Sequence, residues 1–204
     1  MPYSRFSLKD VKRKLGIQIV EDQRLFSGEN KAEISDFLKA VLEKYVPLAL
    51  AVNTEKSRSE WIIAPILAEL KDMLKGQISV FSGKRLDVSP ETGLDGYCDY
   101  IVSLNPEQYY VAAPVLTIVE AKKEDIIASL GQCVAAMYAA ELFNEKEETE
   151  IPFVYGAVTT GTNWKFLKLK DKTAYIDADE YALKQLDILM GIFVRIVTEK
   201  SQQC

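Results

Sequence analysis

Residues 95–123 read DGYCDYIVSLNPEQYYVAAPVLTIVEAKK, and they carry the clearest strand signal in the chain. Two apolar runs, Tyr97–Leu104 and Val115–Ala121, are rich in β-branched and aromatic residues, so both are predicted to be strands. The second run is apolar at every position until Glu120, which is typical of a strand buried on both faces. The stretch therefore predicts two consecutive strands inside a sheet.

Three charged residues stand in these strands where the pattern favours apolar ones. Asp99 interrupts the first strand, and Glu120 and Lys122 lie at the end of the second. Because side chains alternate along a strand, Glu120 and Lys122 share one face and lie about 6–7 Å apart. If the two strands are neighbours, Asp99 meets Glu120 across the ladder. The pattern predicts two carboxylates that converge on one point with an ammonium group beside them.

This combination of side chains favours metal-dependent chemistry on a phosphate group. Carboxylate and carbonyl oxygens, together with water, suit a hard octahedral ion such as Mg²⁺ or Mn²⁺. Such an ion acidifies a bound water and stabilises charge on the phosphate. A lysine beside it can orient the attacking water and offset the charge that develops in the transition state. We therefore expect Mg²⁺ or Mn²⁺ as the cofactor and a phosphodiester as the substrate.

Hydrophobic periodicity predicts how the rest of the chain surrounds these strands. Helical spacing recurs in four segments, at 33–50, 57–74, 125–143 and 181–198. Short strand-forming runs lie at 77–81, 84–88, 153–159, 164–169 and 174–176. Ser82-Gly83 between the first two runs predicts a hairpin turn. With no linker in the chain, we expect one α/β domain over 1–204, a central mixed sheet flanked by helices, with 1–30 as an arm or short packed helix.

The composition excludes several classes of catalytic site. The 204 residues include no histidine, which excludes imidazole acid–base chemistry and histidine-based zinc sites. The three cysteines, Cys98, Cys133 and Cys204, are widely spaced, so neither a disulfide framework nor a zinc site is indicated. Cys98 and Cys133 are expected to be inert buried thiols. These features, with no apolar leader or spanning segment, predict a cytoplasmic protein without a membrane partner.

Charge is unevenly distributed along the chain. The net charge is −5, yet residues 1–16 contain five Lys and Arg against the single Asp10. Residues 145–150, in contrast, form an acidic run. An acidic protein is not typical of nucleic-acid binding, which depends on Lys and Arg near phosphates. A local basic face at the N-terminus is compatible with such a partner.

The strings DGYCDYIVS and LTIVEAKK resemble the two core motifs of the PD-(D/E)XK nuclease superfamily, the restriction-endonuclease-like proteins. The similarity is greatest to the nuclease domain of type I restriction-enzyme motor subunits and small stand-alone relatives, and it covers about 57–170. It implies a restriction-endonuclease-like core that hydrolyses nucleic acid with Mg²⁺ or Mn²⁺. DNA is the favoured substrate. A homodimer is compatible with the family, although no residue here specifies one.

The resemblance also implies roles for individual residues. The implied metal ligands are Asp99, Glu120, Ala121 through its carbonyl, and Glu60 through water. The implied catalytic residues are Asp99, Glu120, Lys122 and Gln132. Among these, Lys122 is the catalytic lysine, and Gln132 matches a glutamine that many members direct at the site.

Each auxiliary residue also has a purely structural interpretation. Glu60 would complete a capping box with Ser57, and Gln132 would be a hydrogen-bonded core amide. Asp95 competes with Asp99 as the first acid, or forms a turn. For the whole protein, one alternative is a catalytically inactive module of this fold that binds DNA or protein. The other is an unrelated α/β protein that oligomerises through helix 125–143, which separation of Asp99 from Glu120 would favour.

Overall fold

A computed structural model describes residues 3–28, 31–149 and 151–201, so Cys204 lies outside the described residues. The helices are α1 (Leu8–Asp10, extended by a π-helical turn, Val11–Leu15), α2 (Asp36–Val52), α3 (Glu55–Arg58), α4 (Ala64–Met73), α5 (Ile126–Lys146) and α6 (Leu186–Ser201). The strands are β1 (Gln18–Gln23), β2 (Ser79–Arg85), β3 (Tyr97–Ser103), β4 (Val115–Ala121), β5 (Val154–Thr159), β6 (Asn163–Lys170), β7 (Thr173–Asp177) and β8 (Tyr181–Ala182).

The eight strands form one mixed sheet. Their order is β1-β7-β6-β5-β4-β3-β2, and β8 pairs with β6. The central strand β4 pairs antiparallel with β3 and parallel with β5. Parallel neighbours need a long crossover connection, and α5 provides it while packing against both strands. The predicted α/β fold, a mixed sheet flanked by helices, is confirmed.

Helices cover both faces of the sheet, so β4 is buried on each side. On one face, Ile118 packs in a cluster with α5 and the N-terminal residues. On the other face, Val119 packs in a cluster with α2, α4 and α6. This double burial explains why β4 is apolar at nearly every position. Glu120 points to the same face as Ile118, toward α5, because side chains alternate along the strand.

Helix α5 is apolar around most of its circumference because other elements surround it. It begins after Asp125, whose side chain accepts a hydrogen bond from the Ala128 N–H. A Cβ at Gly156 of β5 would lie 2.4 Å from Met137 Sδ, so glycine lets the helix approach the sheet closely. By length and mean hydropathy (1.5) α5 could also cross a membrane. That is weak evidence, since buried core helices have the same composition.

The predicted hairpin within 77–88 is wrong. Residues 79–85 form the single strand β2, which pairs antiparallel with β3 from Ser79↔Ser103 to Arg85↔Tyr97. Gly83 does have the positive φ that a turn would use, +62°. The strand nevertheless continues, because a long-range partner satisfies the backbone on both sides of Gly83. The sequence therefore indicated the positive φ of Gly83 correctly, but this residue lies inside a strand and not in a turn.

The ends of the chain also depart from expectation. Residues 8–15 form a packed helix, but the strand β1 was not predicted. It pairs in parallel with β7 at the edge of the sheet, and its mostly exposed, polar sequence QIVEDQ carries little strand signal. The predicted start of the last helix is wrong as well, because Tyr181–Ala182 forms β8 and α6 begins at Leu186.

Asn144, buried near the end of α5, holds the start of β4. Its side chain accepts a hydrogen bond from the Val115 N–H (2.7 Å) and donates one to the Val115 carbonyl (2.8 Å). Asn144→Ala is expected to lower the free energy of unfolding by about 2–4 kcal/mol, because two buried backbone groups lose their partners. Urea denaturation beside the exposed-neighbour control Glu145→Ala tests this, and equal midpoints would contradict it.

Candidate functional site

Strand pairing brings the two predicted carboxylates together. The β3–β4 register pairs Ile101 with Ile118 and Tyr100 with Val119, and one further step places Asp99 opposite Glu120. The Ala121 N–H donates a hydrogen bond to Asp99 Oδ2 at 2.8 Å, which fixes the Asp99 side chain against the end of β4. Asp99 and Glu120 therefore lie side by side, so the condition stated for an unrelated α/β protein is not met.

Lys122 completes the cluster from the residue that follows β4. Its Nζ lies 3.7 Å from Asp99 Oδ2 and 3.7 Å from Glu120 Oε2. The Lys122 backbone N–H donates to the Thr159 carbonyl of β5 at 2.7 Å, so the chain stays in register with the sheet at this point. The lysine side chain is only 17% exposed. An ammonium group thus faces both carboxylates, as the strand alternation predicts.

Glu120 is the most unusual group of the site, since its side chain is 0% exposed. Burial raises the pKa of its carboxyl well above the usual range, the nearby charge of Asp99 raises the pKa further, and Lys122 lowers it. Oε2 accepts a hydrogen bond from Gln132 Nε2 of α5. Oε1 is buried without a hydrogen-bond partner in the described part of the chain. A buried carboxylate oxygen normally has a hydrogen-bond partner, and a bound cation or water would provide one here.

The acidic side chain nearest to Lys122 from the upstream helix is not the one that the sequence indicated. Glu60 has a half-exposed side chain and pairs with Lys56 at 3.6 Å. The carboxylate that approaches the cluster is Glu55, whose Oε1 lies 4.0 Å from Lys122 Nζ. Sequence reasoning missed Glu55 because an acid in the first turn of a helix is ordinary.

The capping box predicted from Ser57 and Glu60 is wrong. The helix begins earlier, at Glu55, and the cap is formed by Thr54 and Ser57. The competing acid Asp95 lies 3.9 Å from Arg85 in an ion pair. Cys98 and Cys133 are both buried, and burial raises the pKa of each thiol well above its usual range. Both thiols are therefore poor nucleophiles, as expected.

The surface next to the cluster is open on two sides. Gly83 of β2 lies opposite Asp99, and a Cβ there would meet no atom within 4 Å. Beyond Lys123, a cavity of about 590 Å³ is lined by residues that include Arg58, Lys123 and Thr160. Arg58 donates to the Thr160 carbonyl at 2.9 Å. The cavity borders Lys123, next to Lys122 in sequence, and the Asp99 side chain is itself 35% exposed.

The cluster offers few side-chain ligands to the predicted divalent ion. Within residues 3–28, 31–149 and 151–201, no group of three or more His, Cys, Asp or Glu side chains is arranged to hold a metal. Two carboxylates do converge, and one buried oxygen of Glu120 lacks a partner among these described residues. Mg²⁺ is commonly held by one or two carboxylates and keeps several waters. The residues present fit such a partly hydrated ion, and do not fit one enclosed by side chains.

Together these features define an α/β protein in which a buried glutamate, a partly exposed aspartate and a lysine meet at the end of the central strand. No family model, curated protein or solved structure matches the chain. Any function is therefore inferred from the geometry of Asp99, Glu120 and Lys122.

Proposed function

We propose that this protein is a metal-dependent nuclease with a restriction-endonuclease-like core, acting on DNA. One observation carries the proposal: Asp99 and Glu120 converge beside Lys122, and the fully buried Glu120 leaves Oε1 without a partner among the described residues. Two carboxylates beside a single ammonium group leave one negative charge uncompensated, and a charge is costly to bury for structure alone. A bound cation is the simplest means of stabilising it.

Asp99 and Glu120 would hold the ion, with the Ala121 carbonyl as a further ligand. When bound, Mg²⁺ or Mn²⁺ would supply Lewis acidity toward the phosphate and a more acidic water. The Ala121 N–H fixes Asp99, and Gln132 fixes Glu120 Oε2, so both carboxylates are oriented before the substrate arrives. Such preorganisation removes a reorganisation cost from the reaction.

Lys122 would position the attacking water and stabilise the negative charge that accumulates on the phosphate. Its ammonium group is mostly excluded from solvent, which strengthens both interactions. Glu55, at 4.0 Å from Lys122 Nζ, would orient this lysine. The water-mediated metal contact of Glu60 stays a prediction, as do a homodimer and a cytoplasmic location.

Cleavage of supercoiled plasmid, single-stranded DNA and RNA in millimolar Mg²⁺ or Mn²⁺ tests the proposal. Wild-type protein is expected to cut DNA with metal and not with EDTA. Lys122→Met and Asp99→Asn are expected to lower the rate by about a hundredfold to a thousandfold, since each removes a charge that acts on the transition state. Asp36→Asn, which alters an exposed acid on α2, is the matched control. Equal rates in all four proteins would reject the proposal.

A second candidate is an inactive module of the same fold that binds DNA or protein. It is favoured by the absence of a third clustered acidic ligand among the described residues and by the net charge of −5. The two candidates differ in their response to metal. A working site is expected to raise the melting temperature in Mg²⁺ or Mn²⁺ by mass action, whereas an inactive module is not.

A further inference from the structure

Residues 3–17 form a compact element, here called the basic segment, that is docked on the rest of the protein. Its apolar side chains are buried: Tyr3, Phe6, Val11, Leu15 and Ile17. It packs against α5, where Gly131 allows backbone contact with Ser7. The capping box between Ser7 and Asp10 defines the start of its helix. The segment is therefore part of the fold and holds a fixed position.

The outward side of the basic segment is strongly cationic. Arg5, Lys9, Lys12 and Arg13 are exposed, and the last three share one side because they are spaced three and four residues apart in a helical stretch. The single acid of the segment, Asp10, is occupied by the Ser7 cap and by Lys14 at 2.9 Å. The local charge of this surface is therefore positive, whereas the net charge of the chain is −5.

The basic segment begins near the residues that precede β3 and crosses α5 toward the start of β7, where the Gln18 N–H donates to the Lys172 carbonyl at 2.9 Å. The Tyr3 N–H donates to the Asp95 carbonyl at 3.3 Å, four residues before Asp99, and the Tyr3 hydroxyl donates to the Leu86 carbonyl. On α5, the residue after Gly131 is Gln132, which binds Glu120. The start of the segment is thus tied to the residues between β2 and β3 and to the helix that carries Gln132.

We propose that the basic segment binds the phosphate backbone of a nucleic acid and positions it at the Asp99–Glu120–Lys122 cluster. Clustered exposed Lys and Arg are what neutralise phosphates along a strand. A membrane surface fits less well, because an interfacial helix inserts its apolar side, and here that side is buried in the protein. The inference rests on the proposed nuclease function and adds the surface that holds the substrate.

Binding of a fluorescent DNA duplex in EDTA, measured over a range of salt concentrations, tests this without cleavage. The double variant Lys12→Glu/Arg13→Glu is expected to bind about tenfold or more weakly near 0.1 M salt. The slope of log K against log salt should become less steep by about two, because roughly one counterion is released for each phosphate contact. Lys39→Glu/Lys44→Glu, which makes the same charge change on α2 across the sheet, is expected to match wild type within about twofold.

The outcomes separate this inference from the proposed function. If the Lys12/Arg13 variant binds like its control while wild type cleaves DNA, the inference is wrong and the nuclease proposal stands. If binding depends on Lys12 and Arg13 but no substrate is cut with metal, the nuclease proposal fails and the basic segment is a nucleic-acid surface of an inactive module. Wild-type protein that binds no duplex even at low salt overturns the inference.

Discussion

Replacing Glu120 with glutamine is expected to abolish metal-dependent cleavage and, in EDTA, to raise the melting temperature of the protein. Both effects have the same origin. The wild-type carboxylate is fully buried next to Asp99, and Oε1 has no partner among the described residues. Glutamine has the same shape without the charge, its oxygen can still accept the hydrogen bond from Gln132, and its amide can donate toward Asp99. Losing a ligand removes activity, whereas losing a buried charge stabilises the metal-free fold.

The stabilisation by Glu120→Gln is expected to depend on pH. Burial raises the pKa of Glu120 in the folded state above its ordinary value of 4.5, so the folded protein binds a proton more tightly than the unfolded chain does. The wild type therefore loses stability as the pH rises from about 4.5 through the raised folded pKa. The variant lacks this group, so the difference in melting temperature should grow with pH and then level off.

Thermal melts across pH, with EDTA or with Mg²⁺, measure both parts of this prediction. Each kcal/mol corresponds to about 2–4 °C for a domain of this size. Mg²⁺ should raise the melting temperature of wild type and leave Glu120→Gln unchanged, and Glu91→Gln, an exposed acid, serves as the matched control. A variant that melts below wild type at every pH in EDTA would mean that ionised Glu120 stabilises the fold, contrary to expectation.

Gly131→Ala is expected to destabilise the protein by about 3 kcal/mol or more, although alanine is the better helix former by about 1 kcal/mol. The added Cβ would lie 2.3 Å from Ser7 C, 2.5 Å from Phe6 O and 2.6 Å from Leu8 N. All three are backbone atoms, so no rotamer change relieves the overlap and the basic segment must move away from α5. Helix propensity alone thus predicts that Gly131→Ala stabilises the protein, whereas the tertiary contact predicts that it destabilises the protein.

Urea denaturation and amide hydrogen exchange distinguish these two effects. In Gly131→Ala, protection from amide exchange should fall first in residues 3–17. Protection of α6, on the opposite face of the sheet, should be unchanged. Ile127→Ala, at an exposed position of the same helix, is expected to change the free energy of unfolding by less than about 1 kcal/mol. If Gly131→Ala instead increases stability, the backbone contact between the basic segment and Gly131 is wrong. Displacement of the segment should also weaken DNA binding, as is expected of the Lys12/Arg13 variant.

Much of the sheet could be predicted from the sequence because burial on both faces leaves a continuous apolar signal. Strand β4 has the predicted bounds, and β3 and α5 differ from prediction by a few residues at their ends. The apolar pattern did not predict strands whose side chains are mostly exposed, or strand bounds that depend on pairing with another strand. Strand β1 lies at the edge with polar side chains, and β2 runs through Gly83 because it pairs with β3 on both sides of that residue.

The polar cluster could be predicted from the sequence alone, because a strand period of two places Glu120 and Lys122 on one face and Asp99 interrupts the adjacent strand. The groups around the cluster could not be predicted. Glu55 approaches Lys122 in place of Glu60, and Tyr3 joins the basic segment to Asp95, just before the strand that carries Asp99. Periodicity reports only which side of an element is buried. Contacts between distant segments depend instead on register and on close packing, as at Gly131, and neither leaves a pattern in the sequence.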